Sequence, residues 1–128
     1  MRLFDSLLQY VLFTCKKKHI DETHGLGHAI NVLMNSHTIF ENEKDNYPEV
    51  KPMEHVIYAS AILHDMCDKK YMDQKTGSQE IFSYLEPRIE SRENLLINKI
   101  ITTMSYSKVK KDGFPVLMYF ARTVLLTL

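Results

Sequence analysis

Apolar residues recur along this chain at intervals of three and four, which is the spacing of one face of an amphipathic helix. The first such run, over 3–12, predicts a helix that ends near Lys16. After two closely spaced glycines, a second helix is predicted over about 27–42, with Asp21 or Thr23 as its N-cap. The predicted inward side chains of this second helix are Ile30, Leu33, Met34 and His37.

The stretch Met53–Leu63 is apolar nearly all round, so it predicts a central helix rather than a peripheral one. The later elements predicted by the pattern are a polar loop over 68–77, a short helix over 78–85 stopped by Pro87, a helix from Ser91 through Met104, a basic connector over 108–115 and a last apolar helix over 116–128. No stretch alternates apolar and polar residues with the period of a strand. We therefore expect an all-α fold, a bundle of about five to six helices.

Size and charge limit the possible functions. With 128 residues, the chain fits a single domain over 1–128. Lysine plus arginine number 16 and aspartate plus glutamate also number 16, so no net field attracts long nucleic acid. No segment approaches the ~20 apolar residues of a membrane span. Cys15 and Cys67 fit neither a disulfide framework nor a zinc knuckle, so we expect a reduced, cytoplasmic protein without a membrane partner.

The end of the sequence is apolar. The run over 121–128 stops without the glycine or asparagine that commonly ends a helix. Natural termini are usually polar and frayed. We therefore interpret the chain as a domain that lacks its C-terminal part.

A histidine and an aspartate, His64 and Asp65, follow directly on the apolar helix over 53–63. Buried polar groups without partners cost several kcal/mol, and a divalent metal ion removes that cost by taking imidazole and carboxylate as ligands. The obvious further donor is His28, on the same helix face as Val32, although alone it would be interpreted as a hydrogen-bonded core residue. Together these residues predict a metal site, and ligands without cysteine suit Mn²⁺, Fe²⁺, Co²⁺, Ni²⁺, Zn²⁺ or Mg²⁺.

The same residues carry a resemblance to a known family. The segment from His28 to Val32 and the segment Ala61-Ile-Leu-His64-Asp65 resemble the HD-domain superfamily of metal-dependent phosphohydrolases. The wider pattern is similar to the small nucleotide pyrophosphohydrolases of that superfamily, over about residues 20 to 124. That pattern reads Asp21-x-x-His24-x-x-x-His28, then His64-Asp65-x-x-Asp68-x-Lys70.

The resemblance implies an HD-type helical bundle with four metal ligands in the order His, His-Asp, Asp. It assigns the first three ligands to His28, His64 and Asp65. The fourth is expected on the last helix, beyond 121–124, but the last aspartate of this chain is Asp112. Because three protein ligands are common in catalytic zinc sites, the three residues could still hold a metal, with reduced affinity.

Three further polar residues are candidates for the chemistry. Asp68 could orient the attacking water or act as a general base, or it could be a solvated loop carboxylate. Lys70 could meet a substrate phosphate as a point charge, or it could be an exposed loop residue. His24 could hydrogen-bond a phosphate, hold a second metal or serve only the structure.

The function expected from the resemblance is metal-dependent hydrolysis of a phosphate ester or anhydride. The substrate would be a nucleotide or a related small phosphorylated metabolite. One alternative is a catalytically impaired HD-fold binding or regulatory module, which the missing fourth aspartate favours. The other is a plain helical bundle whose His-Asp pair hydrogen-bonds internally.

Overall fold

The computed structural model describes residues 2–103, and this part of the chain is all-α, as predicted. Its five helices are α1 (Arg2–Lys18), α2 (Leu26–Glu43), α3 (Glu54–Leu63), α4 (Gln74–Leu85) and α5 (Ser91–Thr103). Two short 3₁₀ helices, Glu22–His24 and Pro48–Met53, precede α2 and α3 respectively. The predicted connector over 108–115 and the predicted last helix over 116–128 lie outside the described residues. Among the described helices, none is long and apolar enough to cross a membrane.

The apolar helix α3 lies at the centre, as its sequence predicts. Its residues from Val56 to Leu63 are all buried, and the helix packs against α1, α2 and α5. A helix surrounded by others has no face left for polar side chains, which explains its continuous apolar run. The end of α3 therefore delivers His64 and Asp65 into the interior of the protein.

The helix α2 runs antiparallel to α3, but its inward face differs from the predicted one. The buried positions are Ala29, Val32, Ser36 and Phe40. In contrast, Met34 is 64% exposed, and Ile30 and His37 are also exposed, so these predicted inward positions are wrong. The reason is packing: the small side chains of Ala29 and Ser36 turn toward α3, and a search for large apolar groups overlooks them.

The start of α2 also corrects a prediction. The N-cap is Gly25, and it makes no side-chain capping hydrogen bond. Neither Asp21 nor Thr23 can cap this helix, because the 3₁₀ turn Glu22–His24 lies between them and its first residue. As a result His28 falls in the first turn of α2, beside the end of α3.

The helix α4 begins four residues earlier than predicted, and it contains Gly77. The side chain of Asp73 accepts the Thr76 N–H at 3.0 Å, which caps the helix and places Gly77 inside it rather than in a loop. Gly77 is buried, and a Cβ atom there would lie 3.0 Å from Cys67 Cα. This close approach packs α4 directly onto the turn that follows Asp65.

Candidate metal centre

Two elements bring the candidate ligands together. His64 is the C-cap of α3 and keeps helical backbone angles, and Asp65 follows it in a tight turn closed by the Met66 N–H bond to Leu63 O at 2.9 Å. His28 enters from the first turn of α2. The residues His64 and Asp65 are buried, whereas the side chain of His28 retains 26% of its exposure. The cluster is therefore enclosed by the core on one side and accessible from the side of His28.

The three side chains meet through one atom each. His28 Nε2 lies 3.3 Å from His64 Nε2 and 3.3 Å from Asp65 Oδ2. The remaining distance, from His64 Nε2 to Asp65 Oδ2, is 3.4 Å. These atoms form a nearly equilateral triangle. Together the three residues are a group of donors that could hold one metal ion.

The size of this triangle can be compared with the geometry of a metal ion. Ligands at 2.0–2.1 Å from a tetrahedral centre are separated from one another by about 3.3–3.4 Å. The observed distances agree with that separation. They also lie above the usual 2.7–3.2 Å range of N–H···O hydrogen bonds. The donor set and its spacing thus fit a divalent cation better than a purely hydrogen-bonded cluster.

A backbone contact orients His64 for this purpose. Its Nδ1 lies 2.7 Å from the carbonyl oxygen of Ala61, and since a carbonyl only accepts, Nδ1 carries the proton and donates it. In the neutral ring, Nε2 then has a lone pair directed at the cluster. Such a second hydrogen bond fixes the tautomer of most metal-ligating histidines.

Burial and charge set the protonation states of the cluster. Burial lowers the pKa of His64, against the opposing effect of Asp65, so the ring is neutral at physiological pH. Burial alone would raise the pKa of Asp65. Hydrogen bonds from His28 and His24 and the interaction with His64 outweigh it, so the pKa of Asp65 is lowered. A neutral imidazole and an ionised carboxylate are the forms that bind metal.

His24 reaches the cluster through the same carboxylate oxygen. Its Nδ1 is 3.3 Å from Asp65 Oδ2, and the residue is 7% exposed. Its ring also stands edge-on to that of His28, with centroids 6.0 Å apart. The sequence pattern thus correctly singled out His24 as a neighbour of the site, and its contact is with a candidate ligand.

Asp68 and Lys70 lie in the turn after the cluster. Asp68 is partly buried, and its Oδ1 accepts the Lys70 N–H at 2.9 Å. The exposed Lys70 places its Nζ 5.4 Å from the centroid of the Tyr71 ring. Both residues are therefore near the candidate ligands in sequence, and the structure gives their side chains contacts within the turn.

Sequence reasoning missed three groups at this site. They are the Ala61 carbonyl, Tyr71 and the side chain of Asp21, whose Oδ2 accepts a hydrogen bond from the Tyr71 hydroxyl at 3.0 Å. The first is a backbone atom and leaves no trace in the sequence. The other two were visible as residues, but the contact joins positions 50 apart. A local pattern cannot indicate such a pair.

A second group of donors lies on the far part of α2. His37, Glu41 and Glu54 have ligand atoms within 4.8 Å of one another. However, Lys44 Nζ is 2.8 Å from Glu41 Oε2, and the Tyr58 hydroxyl donates to Glu54 at 3.1 Å while also contacting His37 Nδ1 at 2.9 Å. A lysine ammonium and a phenol thus already use these donors. We do not treat this group as a metal site.

Comparison with known proteins gives no relative for this chain. No family model matches it, and neither a curated protein nor a solved structure is found to be similar.

Proposed function

We propose that this protein is a metal-dependent phosphohydrolase of the HD type, acting on a nucleotide or a similar small phosphorylated metabolite. The observation that carries the proposal is the triangle of His28 Nε2, His64 Nε2 and Asp65 Oδ2, with edges of 3.3–3.4 Å. It joins the residues that the resemblance assigns as ligands, although they come from two separate helices. The proposal therefore has two independent supports, the sequence pattern and the convergence of donor atoms.

The chemistry would take place where the cluster opens to solvent. When bound, a divalent cation supplies Lewis acidity, which activates water and draws charge from a phosphoryl oxygen. His28, His64 and Asp65 would hold it. Because only His28 among the three is appreciably exposed, substrate would approach from the first turn of α2. That turn has no side-chain cap at Gly25, so its backbone N–H groups are suited to a phosphate.

Two residues of the following turn complete the proposed roles. We assign to Asp68 the orientation of the attacking water, since its carboxylate is held in the turn by the Lys70 N–H. We assign to the Lys70 ammonium, which is exposed, a contact with substrate phosphate. Balanced overall charge suits a small anionic substrate better than long nucleic acid.

A second candidate function follows from the sequence. The resemblance calls for a fourth aspartate, and none follows Asp112. A protein of this kind could bind metal and phosphorylated ligands without turning them over, as a binding or regulatory module. The two candidates share the metal centre and differ only in catalysis.

The test is metal-dependent release of phosphate or pyrophosphate. The full chain is stripped with chelator and assayed against a panel of nucleotides with Mn²⁺, Co²⁺, Ni²⁺, Zn²⁺, Fe²⁺ or Mg²⁺. The enzyme predicts metal-stimulated turnover that falls more than about 100-fold in His64→Ala and Asp65→Ala, because even outer-shell changes cost 10- to 100-fold. The matched control is His55→Ala, since His55 pairs with Glu93 away from the cluster. Metal binding without turnover supports the module, and absence of metal binding refutes both candidates.

A further inference from the structure

Tyr71 links the segment before α2 to the turn after the metal cluster. Its hydroxyl donates to Asp21 Oδ2 at 3.0 Å, across 50 positions of sequence. Its ring stands edge-on to that of His24, with centroids 5.8 Å apart and an interplanar angle of 60°. A single side chain thus contacts both the first residue of the segment 21–24 and its last.

The turn that carries Tyr71 is itself well defined. The Tyr71 N–H donates to Asp68 O at 3.0 Å, and the Met72 N–H donates to the same oxygen at 3.2 Å. Partial burial and the hydrogen bond to Asp21 raise the pKa of Tyr71 to about 12. The phenol is therefore protonated at neutral pH and remains the donor in this contact.

The segment held by Tyr71 has little support of its own. His24 ends a 3₁₀ helix of three residues, and its N–H donates to Asp21 O at 3.0 Å. A helical turn this short is not stable in isolation. The contact of His24 Nδ1 with Asp65 Oδ2 is also long for a hydrogen bond, at 3.3 Å. Its strength therefore depends on the neighbours that hold the ring of His24 in place.

We propose that Tyr71 is a positioning residue of the metal centre, which acts through its hydrogen bond to Asp21 and its ring contact to hold His24 against Asp65. His24 in turn donates its Nδ1–H to the ligand carboxylate and fixes the direction of Oδ2. This inference rests on the proposed function only in its use of the metal centre. It does not require that the protein hydrolyse a phosphate.

The test measures affinity for Co²⁺ alone, by visible absorption and competition with a chelating dye. We expect His24→Ala to weaken binding about 10- to 100-fold, as outer-shell partners of metal ligands usually do. Tyr71→Phe keeps the ring and removes the hydroxyl, so it should weaken binding less, by about threefold to tenfold. The variant His24→Asn, whose side-chain amide offers a donor in place of Nδ1–H, should recover part of the loss.

A double-mutant cycle shows whether Tyr71 acts through His24. In the His24→Ala background, Tyr71→Phe should change cobalt affinity by less than about twofold, because the ring it positions is gone. Tyr84→Phe is the matched control: it also removes a tyrosine hydrogen bond, from the Tyr84 hydroxyl to Ser6 O at 2.9 Å, but away from the cluster. It should leave cobalt affinity unchanged.

Three results would overturn the inference. They are unchanged cobalt affinity in Tyr71→Phe, an equal loss in Tyr84→Phe, and fully additive losses in the double variant. Failure of the proposed function is recognised separately, as cobalt binding without turnover by the wild-type protein. In that case the ranking of cobalt affinities still decides the role of Tyr71. A wild-type protein that binds no cobalt refutes both.

Discussion

His28 and His64 are 36 positions apart in the chain, yet their Nε2 atoms lie 3.3 Å from each other. The contact exists because α2 and α3 pack antiparallel, so that the first turn of α2 meets the end of α3. Separation of these helices would separate the two rings. Any ion that binds both histidines must therefore stabilise the packing of α2 on α3.

Metal binding is expected to raise the stability of the folded protein. A ligand present at 100 times its Kd stabilises the state that binds it by about 2.7 kcal/mol, which is a rise of roughly 10 °C in Tm for a domain of this size. We expect Co²⁺ or Zn²⁺ to produce such a shift in the wild-type protein, and chelator to reverse it. Differential scanning fluorimetry across a metal titration measures it.

The control for this experiment is a histidine outside the cluster. His64→Ala should abolish the shift, because it removes one corner of the triangle, whereas His55→Ala should retain it. An equal shift in wild type and His64→Ala would mean that the ion binds elsewhere in the protein.

Two glycines in helices should respond in opposite ways to alanine. A Cβ on Gly77 would lie 2.8 Å from Met72 Sδ and 3.0 Å from both Cys67 Cα and Cys67 Cβ. The Met72 side chain can move aside, but the backbone of Cys67 cannot do so without shifting the turn after Asp65. We expect Gly77→Ala to lower the free energy of unfolding by about 1–3 kcal/mol. Urea unfolding followed by circular dichroism measures the change.

Gly27 provides the matched comparison. It also lies in a helix, but it is exposed and a Cβ there would have no neighbour within 4 Å. Gly27→Ala should therefore raise the free energy of unfolding, by about 0.5–1 kcal/mol, because alanine loses less backbone entropy. If the two variants change stability in the same direction, close packing of Gly77 on Cys67 is not the deciding factor.

The sequence was sufficient for the fold class and for the proposed ligands, for a clear physical reason. The continuous apolar run of α3 admits only a central position, and polar residues placed directly after it stand out. The same reasoning predicted the face of α2 incorrectly. Helical period alone does not distinguish Ile30 and Met34, which are exposed, from the smaller Ala29 and Ser36, which are buried.

Some features of the candidate site could not be predicted from local sequence at all. The tautomer of His64 depends on the Ala61 carbonyl, which every residue type would provide. The Tyr71 bond to Asp21 depends on how the turn after α3 folds back onto the start of α2. Gly77 was assigned to a loop because glycine disfavours helices, whereas here its lack of a side chain permits α4 to approach Cys67.

The stability of the protein should decline above pH 10 in a way that depends on Tyr10. Burial, followed by the nearby charge of Glu80, raises the pKa of Tyr10 from 10.0 to about 12. Its ring packs against that of Tyr84, with centroids 4.7 Å apart. Since the unfolded chain ionises first, the phenol contributes its full stabilisation below pH 10. That contribution is lost as the pH rises through 10 toward 12.

The Tyr10→Phe variant isolates this contribution. Guanidinium unfolding at intervals from pH 8 to pH 12 should show a constant difference between wild type and variant up to about pH 10. Above that, the wild-type protein should lose roughly 2 kcal/mol more than the variant, which has no phenol to ionise. Because Tyr58 and Tyr71 also have a raised pKa, both proteins will lose some stability, and only the difference reports on Tyr10. Parallel losses over the whole range would show that Tyr10 ionises as readily in the folded protein as in the unfolded chain.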